Sequence, residues 1–359
     1  MTPHTIPLIR VEGSYRDVGL EIGEMCAHVI QRAVDFDAQI PAGRSREDQL
    51  ALAEEYRRLT ADAWPWAIEE SDAMAEAAGV EPLALFACAV EEIWYEARTP
   101  AGGPAIAGRC SDVVAAPPST ANGHVLVAHN NDMGAQYMDE LVAIERTVPG
   151  DPVVLMIGNG IWISVGWNSA GLSLTGNELS PNDERVGIPR EIQVRAMLRE
   201  PDLDMMVGTA LRHDRASSYN NVLASADGTV VNVEGSATDV ELTEPDERGH
   251  LVHTNHYVCE SMLRYEGDPK YAERSATRYR RAWELLEAQP DGSVTESTLR
   301  EILSDHEHAP DSICRHPIGA KGESVTCFWC IADVTEGRVA FGRGNPCDSA
   351  EQEYVFDSP

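Results

Sequence analysis

The chain has 359 residues and a net charge of −31, because 59 Asp and Glu residues outnumber 28 Lys and Arg residues. A polyanion of this size repels phosphate backbones and anionic lipids, so we expect neither nucleic acid nor membrane as a partner. The acidity is either a solvated surface or a means of attracting cationic substrates such as amines. The length allows one large domain or two medium ones.

The chain carries no long apolar run that predicts a transmembrane helix and no N-terminal pattern of a signal peptide. We therefore expect a cytoplasmic protein whose eight cysteines are thiols rather than a disulfide framework.

Periodicity divides the chain near residue 100. The first part is mainly helical, and a Gly- and Pro-rich segment over 99–108 is predicted to be an exposed connector. The remainder is rich in strands that arrive in consecutive hairpins, which favours an α+β layered domain with antiparallel sheets. Helices are predicted over 14–34, 49–60, 63–78, 82–97, 189–199, 271–288 and 296–306. Strands are predicted over 110–116, 124–129, 141–148, 153–157, 161–166, 171–175, 218–223, 229–234, 326–333 and 338–343.

We expect no metal and no cofactor. The lone pair Cys327 and Cys330 lies in a predicted strand, where positions three apart face opposite sides. The chain has neither a phosphate-binding loop nor a nucleophilic-serine elbow. Four further histidines match no metal-binding pattern: His253, His256, His306 and His308.

Cys110 is the best candidate nucleophile, because it follows the connector and opens the first strand. A cut before it would free an α-amine, which titrates at about 7.7–8.0 and can accept the thiol proton. The resulting thiolate could form an acyl-enzyme. The alternative is a buried structural cysteine. The other cysteines outside the pair at 327 and 330 are predicted core residues (Cys26, Cys88) or ambiguous loop residues (Cys259, Cys314, Cys347).

The order and spacing of several motifs resemble the acyl-coenzyme A:6-aminopenicillanic acid acyltransferase (isopenicillin N acyltransferase) family of N-terminal-nucleophile hydrolases, which includes carcinine hydrolase. The resemblance implies a four-layer αββα sandwich with a helical pro-segment over 1–109 and a catalytic domain over 110–359. The motifs lie at 11–19, 70–80, 110–114, 122–132, 166–177, 234–235, 253–256, 312–316 and 344–347.

By this resemblance, Cys110 is the nucleophile and Asp132 positions it or its amine. Asn255 donates to the oxyanion, and Asn177 lines the pocket as a second donor. Arg315 orients a carboxylate or a loop. Each of these residues could instead have an ordinary structural role in a turn, a loop or an ion pair.

The residues beside the nucleophile depart from the family pattern. Autocleavage would follow Arg109, where the family usually has glycine, so cleavage could be slow or absent. Ser111 and Asp112 replace the usual Thr-Ser. Asp112 either puts a negative charge close to the nucleophile or points to the opposite face of the strand.

We therefore expect an autoprocessing amidohydrolase that cleaves a small N-acyl or aminoacyl amine through a Cys110 thioester. Its partners would be that substrate, its own cleaved N-terminal segment and, as one possibility, further copies of itself. One alternative is an acyltransferase with an acyl-coenzyme A donor, although no basic site for the phosphates is evident. Another is an uncleaved, non-catalytic binding protein.

Overall fold

The computed structural model describes residues 5–38, 45–93, 109–160, 162–319 and 324–356. In these ranges, no helix is both long enough and apolar enough to span a membrane. The helices are α1 (Tyr15–Met25), α2 (Ala27–Asp37), α3 (Arg46–Ala63), α4 (Pro65–Ala78), α5 (Pro82–Cys88), α6 (Arg190–Met197), α7 (Leu203–Ala210), α8 (Pro269–Glu287) and α9 (Glu296–Leu303).

The strands form two sheets. They are β1 (Leu8–Glu12), β2 (Arg109–Ala115), β3 (Leu126–Gly134), β4 (Val142–Thr147), β5 (Val154–Asn159), β6 (Trp162–Asn168), β7 (Leu172–Asn177), β8 (Asn220–Ser225), β9 (Val230–Gly235), β10 (Val240–Thr243), β11 (His250–His253), β12 (Ser324–Asp333), β13 (Arg338–Arg343) and β14 (Gln352–Val355). The first sheet has the order β1-β4-β5-β6-β7-β8-β9-β10, and the second has the order β11-β2-β3-β12-β13-β14. Only β1 and β4 pair in parallel; the other pairs in these sheets are antiparallel.

Three apolar clusters define the layers. Helices α1, α2, α4, α6 and α7 pack on the outer face of the first sheet, as Ile22 and Met74 do beside Ile144. The inner faces of the sheets meet in a second cluster. Helices α8 and α9 cover the outer face of the second sheet. Because each sheet buries both faces, the molecule is a four-layer αββα sandwich, and the predicted fold class is confirmed.

The N-terminal segment contributes more than helices. Residues 8–12 form β1, an edge strand of the first sheet that the sequence analysis missed. The predicted helix over 14–34 is two helices, α1 and α2, interrupted at Cys26. Helix α7 and the four-residue strands β10, β11 and β14 were also not predicted, because such short elements carry little periodic signal. The predicted connector at 99–108 lies outside the described residues.

The expected geometry of Cys327 and Cys330 was wrong. The register of β12 against β3 shifts between Thr326 and Phe328, which marks a β-bulge at Cys327. A bulge adds a residue to one strand and changes the alternation of the side chains. Both thiols therefore pack in the cluster between the sheets instead of facing opposite sides.

Candidate active site

Cys110 lies near the start of β2, on the wall of a cavity of about 170 Å³. Because β2 begins at Arg109, the predicted cleavage site is a peptide bond within a strand. Cys110 is 5% exposed and lies opposite Asn131 of β3. The Asn131 Nδ2 atom is 3.7 Å from the thiol sulfur. The candidate nucleophile is therefore positioned by paired strands and has access to the cavity.

Two side chains hold the Cys110 backbone from the α8 side of the second sheet. The Cys110 N–H donates to Asn255 Oδ1 at 2.7 Å. The buried guanidinium of Arg278, on α8, donates to the Cys110 carbonyl at 2.6 Å and to Asn255 Oδ1 at 2.8 Å. The Asn255 Nδ2 atom donates to the Glu178 carbonyl at 3.0 Å. In this geometry Asn255 accepts at the Cys110 nitrogen, and its donation to an oxyanion stays a prediction.

A buried ion pair lies directly behind the thiol. His129 of β3 and Asp112 of β2 are opposite each other, and the His129 Nδ1 atom is 2.8 Å from Asp112 Oδ1. Both side chains are fully buried, and His129 also hydrogen-bonds the Cys110 side chain. Burial favours a neutral ring, but the Asp112 carboxylate outweighs burial and raises the pKa of His129 to about 10. His129 is therefore an imidazolium at neutral pH.

This pair decides between the two expectations for Asp112. Its carboxylate lies on the same side of β2 as Cys110, because residues two apart in a strand share a face. It is not among the residues that line the cavity. Its negative charge is directed to His129 rather than to a substrate.

Asp132 lines the cavity and is held from behind. Its Oδ1 atom accepts a hydrogen bond from Thr326 at 2.7 Å, and its Oδ2 atom is 3.8 Å from Arg315 Nε. Asp132 lies opposite Arg109 in the register of β2 and β3, beside the predicted cleavage site. Arg315 does not line the cavity, and it also contacts Asp311 at 3.4 Å. Arg315 thus lies behind the wall beside two carboxylates, and its role in orienting a carboxylate or a loop stays a prediction.

Asn177 ends β7 and is fully buried, between two cavity-lining neighbours, Gly176 and Glu178. It is not itself part of the lining. Its Oδ1 atom accepts a hydrogen bond from Asn220 at 3.2 Å. Its Nδ2 atom has no partner among the described residues. Asn177 thus lies directly behind the lining, and its role as a second donor in the pocket stays a prediction.

The cavity is acidic. Four carboxylate side chains line it, from Asp37, Glu91, Asp132 and Glu178, and the described lining includes one cation, Arg190. Arg190 is 3.1 Å from Glu91. The lining thus carries an excess of negative charge, which is favourable for a cationic ligand.

The sequence analysis assigned no role to Arg278 or His129. Arg278 lies on the buried side of α8 with Ser275 and Ala282. An arginine among the buried positions of a helix is the sequence pattern that could have indicated its role. His129 and Asp112 are 17 positions apart, and only the pairing of β2 with β3 brings them together.

The chain is similar in sequence to proteins of one known family. The sequence model described as "Acyl-coenzyme A:6-aminopenicillanic acid acyl-transferase" matches residues 119–348. The chain is 25% identical to the 40 kDa form of acyl-coenzyme A:6-aminopenicillanic-acid-acyltransferase of Emericella nidulans, over 97% of this chain and 95% of that protein.

Solved structures with a similar fold are more distant. A variant of conjugated bile acid hydrolase from Clostridium perfringens has a TM-score of 0.46 at 12% identity, covering 69% of this chain and 98% of that chain. Penicillin V acylase from Agrobacterium tumefaciens has a TM-score of 0.42 at 12% identity, covering 68% and 86%. The family match spans well over half of this chain, and with it the expectation of an acyltransferase or amide hydrolase of the N-terminal-nucleophile type is confirmed. The chain belongs to the acyl-coenzyme A:6-aminopenicillanic acid acyl-transferase family.

Proposed function

We propose that the protein is an autoprocessing cysteine amidohydrolase that cleaves a small N-acyl or aminoacyl amine through a thioester on Cys110. The observation that carries the proposal is the position of Cys110. Its thiol lies on the wall of an acidic cavity, beside a buried imidazolium, and its backbone nitrogen faces a fixed acceptor. The cavity gives a substrate access to the sulfur, and the fixed acceptor can orient the α-amine that serves as its base.

Activation begins with cleavage of the bond between Arg109 and Cys110. The Cys110 sulfur attacks the Arg109 carbonyl carbon, the C–N bond breaks, and the freed nitrogen takes the thiol proton. Water then hydrolyses the thioester, so residue 109 ends in a carboxylate and Cys110 begins with an amine. Asn255 Oδ1, which accepts the Cys110 N–H, is suited to orient that amine.

In the reaction with substrate, the α-amine of Cys110 takes the thiol proton and the sulfur attacks the amide carbon. Collapse of the tetrahedral species breaks the C–N bond, and the amine leaves with the proton from the α-ammonium. Water attacks the thioester and transfers its proton to the α-amine. The sulfur then leaves, recovers that proton and releases the carboxylic acid. His129, which hydrogen-bonds the Cys110 side chain, would orient the sulfur for the attack.

The acidic lining supports an amine-containing substrate. Glu178 lies beside Asn177 at the end of β7 and lines the cavity. Glu178→Gln should raise KM for a cationic amide several-fold and leave KM for a neutral isostere unchanged. An equal change for both substrates would contradict a charge-based preference.

The first experiment is the intact mass of the denatured, purified protein. We expect two fragments from the wild type, produced by cleavage between Arg109 and Cys110, and only the full-length chain from Cys110→Ala. The control Cys259→Ala should give both fragments, because its half-buried thiol lies outside the cavity lining. Arg109→Gly should cleave faster, since glycine widens the conformations open to the precursor. Persistence of the full-length mass in all four proteins would overturn autoprocessing.

The second experiment distinguishes the hydrolase from the acyltransferase alternative. The protein is mixed with an N-acyl amine, quenched with acid and analysed by mass spectrometry. The fragment that begins with Cys110 should then be heavier by the mass of the acyl group. Acylation by acyl-coenzyme A but by no amide would favour the acyltransferase, the activity named for the Emericella nidulans relative. A protein that is neither cleaved nor acylated would favour the non-catalytic binding alternative.

A further inference from the structure

Four side chains with metal-ligating atoms converge outside the cavity. They belong to His306, Cys314, His316 and Cys347, and their ligand atoms all lie within 4.8 Å of one another. None of them lines the cavity. Cys314 is buried, whereas the other three residues are exposed, so an ion has access from solvent. We call this group the Cys2His2 cluster.

Four of the six distances between the ligand atoms are close to those of a tetrahedral site. The two sulfur atoms are 3.8 Å apart, and the two histidine Nε2 atoms are 3.0 Å apart. The His316 Nε2 atom is 3.3 Å from the Cys347 sulfur and 3.8 Å from the Cys314 sulfur. With zinc bonds of about 2.3 Å to sulfur and about 2.0 Å to nitrogen, a tetrahedron has edges of roughly 3.8 Å between sulfurs and roughly 3.3 Å between nitrogens. The observed separations therefore surround a space of the size of one zinc ion.

The types of ligand select among metals. Two thiolates and two imidazoles suit Zn²⁺, whereas Mg²⁺ and Ca²⁺ prefer oxygen ligands. The sulfur separation is far longer than the roughly 2.05 Å bond of a disulfide. Asn345 supports the arrangement, since its Nδ2 atom donates to the Cys314 sulfur at 3.3 Å and to the Arg315 carbonyl at 2.9 Å. Hydrogen bonds of this kind orient the ligands of metal sites.

We propose that the Cys2His2 cluster binds a structural Zn²⁺ ion that joins the segment after α9 to the loop after β13. Four protein ligands complete a tetrahedron and leave no open position, which is typical of structural and not of catalytic zinc. This site replaces our expectation that the chain holds no metal. No spacing motif announces it, because Cys347 is 31 positions from His316.

The ion would also support the wall of the cavity. Arg315 lies between two of the ligands, and its backbone N–H donates to Thr326 Oγ1 at 3.0 Å. The same hydroxyl donates to Asp132 at 2.7 Å. Zinc would thus hold the backbone that positions Asp132, without contacting a substrate.

The test is the metal content of the full-length protein expressed with zinc and passed through a desalting column. We expect about one zinc per chain, less than about 0.1 in Cys347→Ser, and about one in the control Cys259→Ser. Cys347 is exposed, so its substitution leaves the core intact. Cobalt added to chelator-treated protein should give the charge-transfer absorption of thiolate ligands, and this absorption should weaken in Cys347→Ser.

Thermal unfolding provides a readout that does not depend on catalysis. A strong chelator should lower the Tm of the wild type and leave the Tm of Cys347→Ser unchanged. Equal metal content in all three proteins, or a wild-type mass lower by two hydrogens from a disulfide between Cys314 and Cys347, would overturn the proposal. Since Cys110→Ala retains the cluster, it should still bind zinc even if the proposed amidohydrolase activity is wrong.

Discussion

At the scale of single residues, the surroundings of Cys110 separate two tasks. Asn255 and Arg278 hold the backbone of the nucleophile, whereas His129 and Asp112 set the charge beside its sulfur. Burial lowers the pKa of His129, but Asp112 and the Cys110 side chain outweigh burial and raise it to about 10, so the ring carries a proton at neutral pH. It therefore places a positive charge beside the Cys110 sulfur.

This assignment predicts the reactivity of the thiol towards iodoacetamide. His129→Gln removes the cation and should lower the rate of Cys110 alkylation at neutral pH about tenfold or more. The two rates should converge as pH rises, because alkaline pH ionises a thiol without the help of a neighbouring cation. His124→Gln, on the hairpin between β2 and β3, is the control. Equal rates for the wild type and His129→Gln at neutral pH would refute the electrostatic role.

At the scale of elements, α4 connects the N-terminal segment to the first sheet through one buried carboxylate. Glu70 is 1% exposed and accepts hydrogen bonds from Arg146 of β4, at 3.2 Å, and from Arg195 of α6. Apolar residues of α1, α2 and α4 share a core with the same sheet. The described residues of this segment, 5–38 and 45–93, are thus integral to the sandwich, and we expect the segment to stay bound after cleavage.

Loss of the Glu70 carboxylate should destabilise the whole molecule. Glu70→Ala leaves two buried guanidinium groups without their shared partner, which costs about 3–5 kcal/mol. Glu76→Ala, on the exposed side of the same helix, removes a surface ion pair with Arg16 and should cost at most about 0.5 kcal/mol. Urea unfolding followed by circular dichroism measures both values. Similar losses for the two variants would refute the buried connection.

At the scale of the whole molecule, buried carboxyl groups make stability depend on pH. Burial, with the neighbouring Glu91, raises the pKa of Glu92 to about 7, and burial raises that of Glu191 to about 8. A carboxyl group with a raised pKa in the folded state binds its proton more tightly there than in the unfolded chain. Its contribution is complete below the unfolded pKa of about 4.3 and is lost as pH rises through the folded pKa.

We therefore expect the free energy of unfolding to fall as pH rises from about 5 to about 8. Glu92→Gln keeps the shape of the side chain and removes its charge. At pH 8 the free energy of unfolding of this variant should exceed that of the wild type by about 1–3 kcal/mol. At pH 5 the two values should differ little. Urea unfolding at both pH values tests this. Equal free energies of unfolding for Glu92→Gln and the wild type at both pH values would contradict the claim that the buried Glu92 carboxyl titrates in this range.

Local patterns were sufficient for the hairpin of β12 and β13, for helices α8 and α9, and for the position of Cys110 at the start of β2. Side-chain periodicity and turn residues depend on neighbours a few positions apart, so the chain displays them directly. Resemblance to the family added the four layers and the interest in Asp132 and Asn255.

Only the tertiary structure decided how these elements meet. It paired β2 with β3 and so joined Asp112 to His129, and it directed Arg278 from α8 to the Cys110 carbonyl. It also moved Arg315 behind the cavity wall and gathered the Cys2His2 cluster from segments on either side of β12 and β13. These contacts depend on strand register and on the stacking of layers, which residues far apart in the chain determine together.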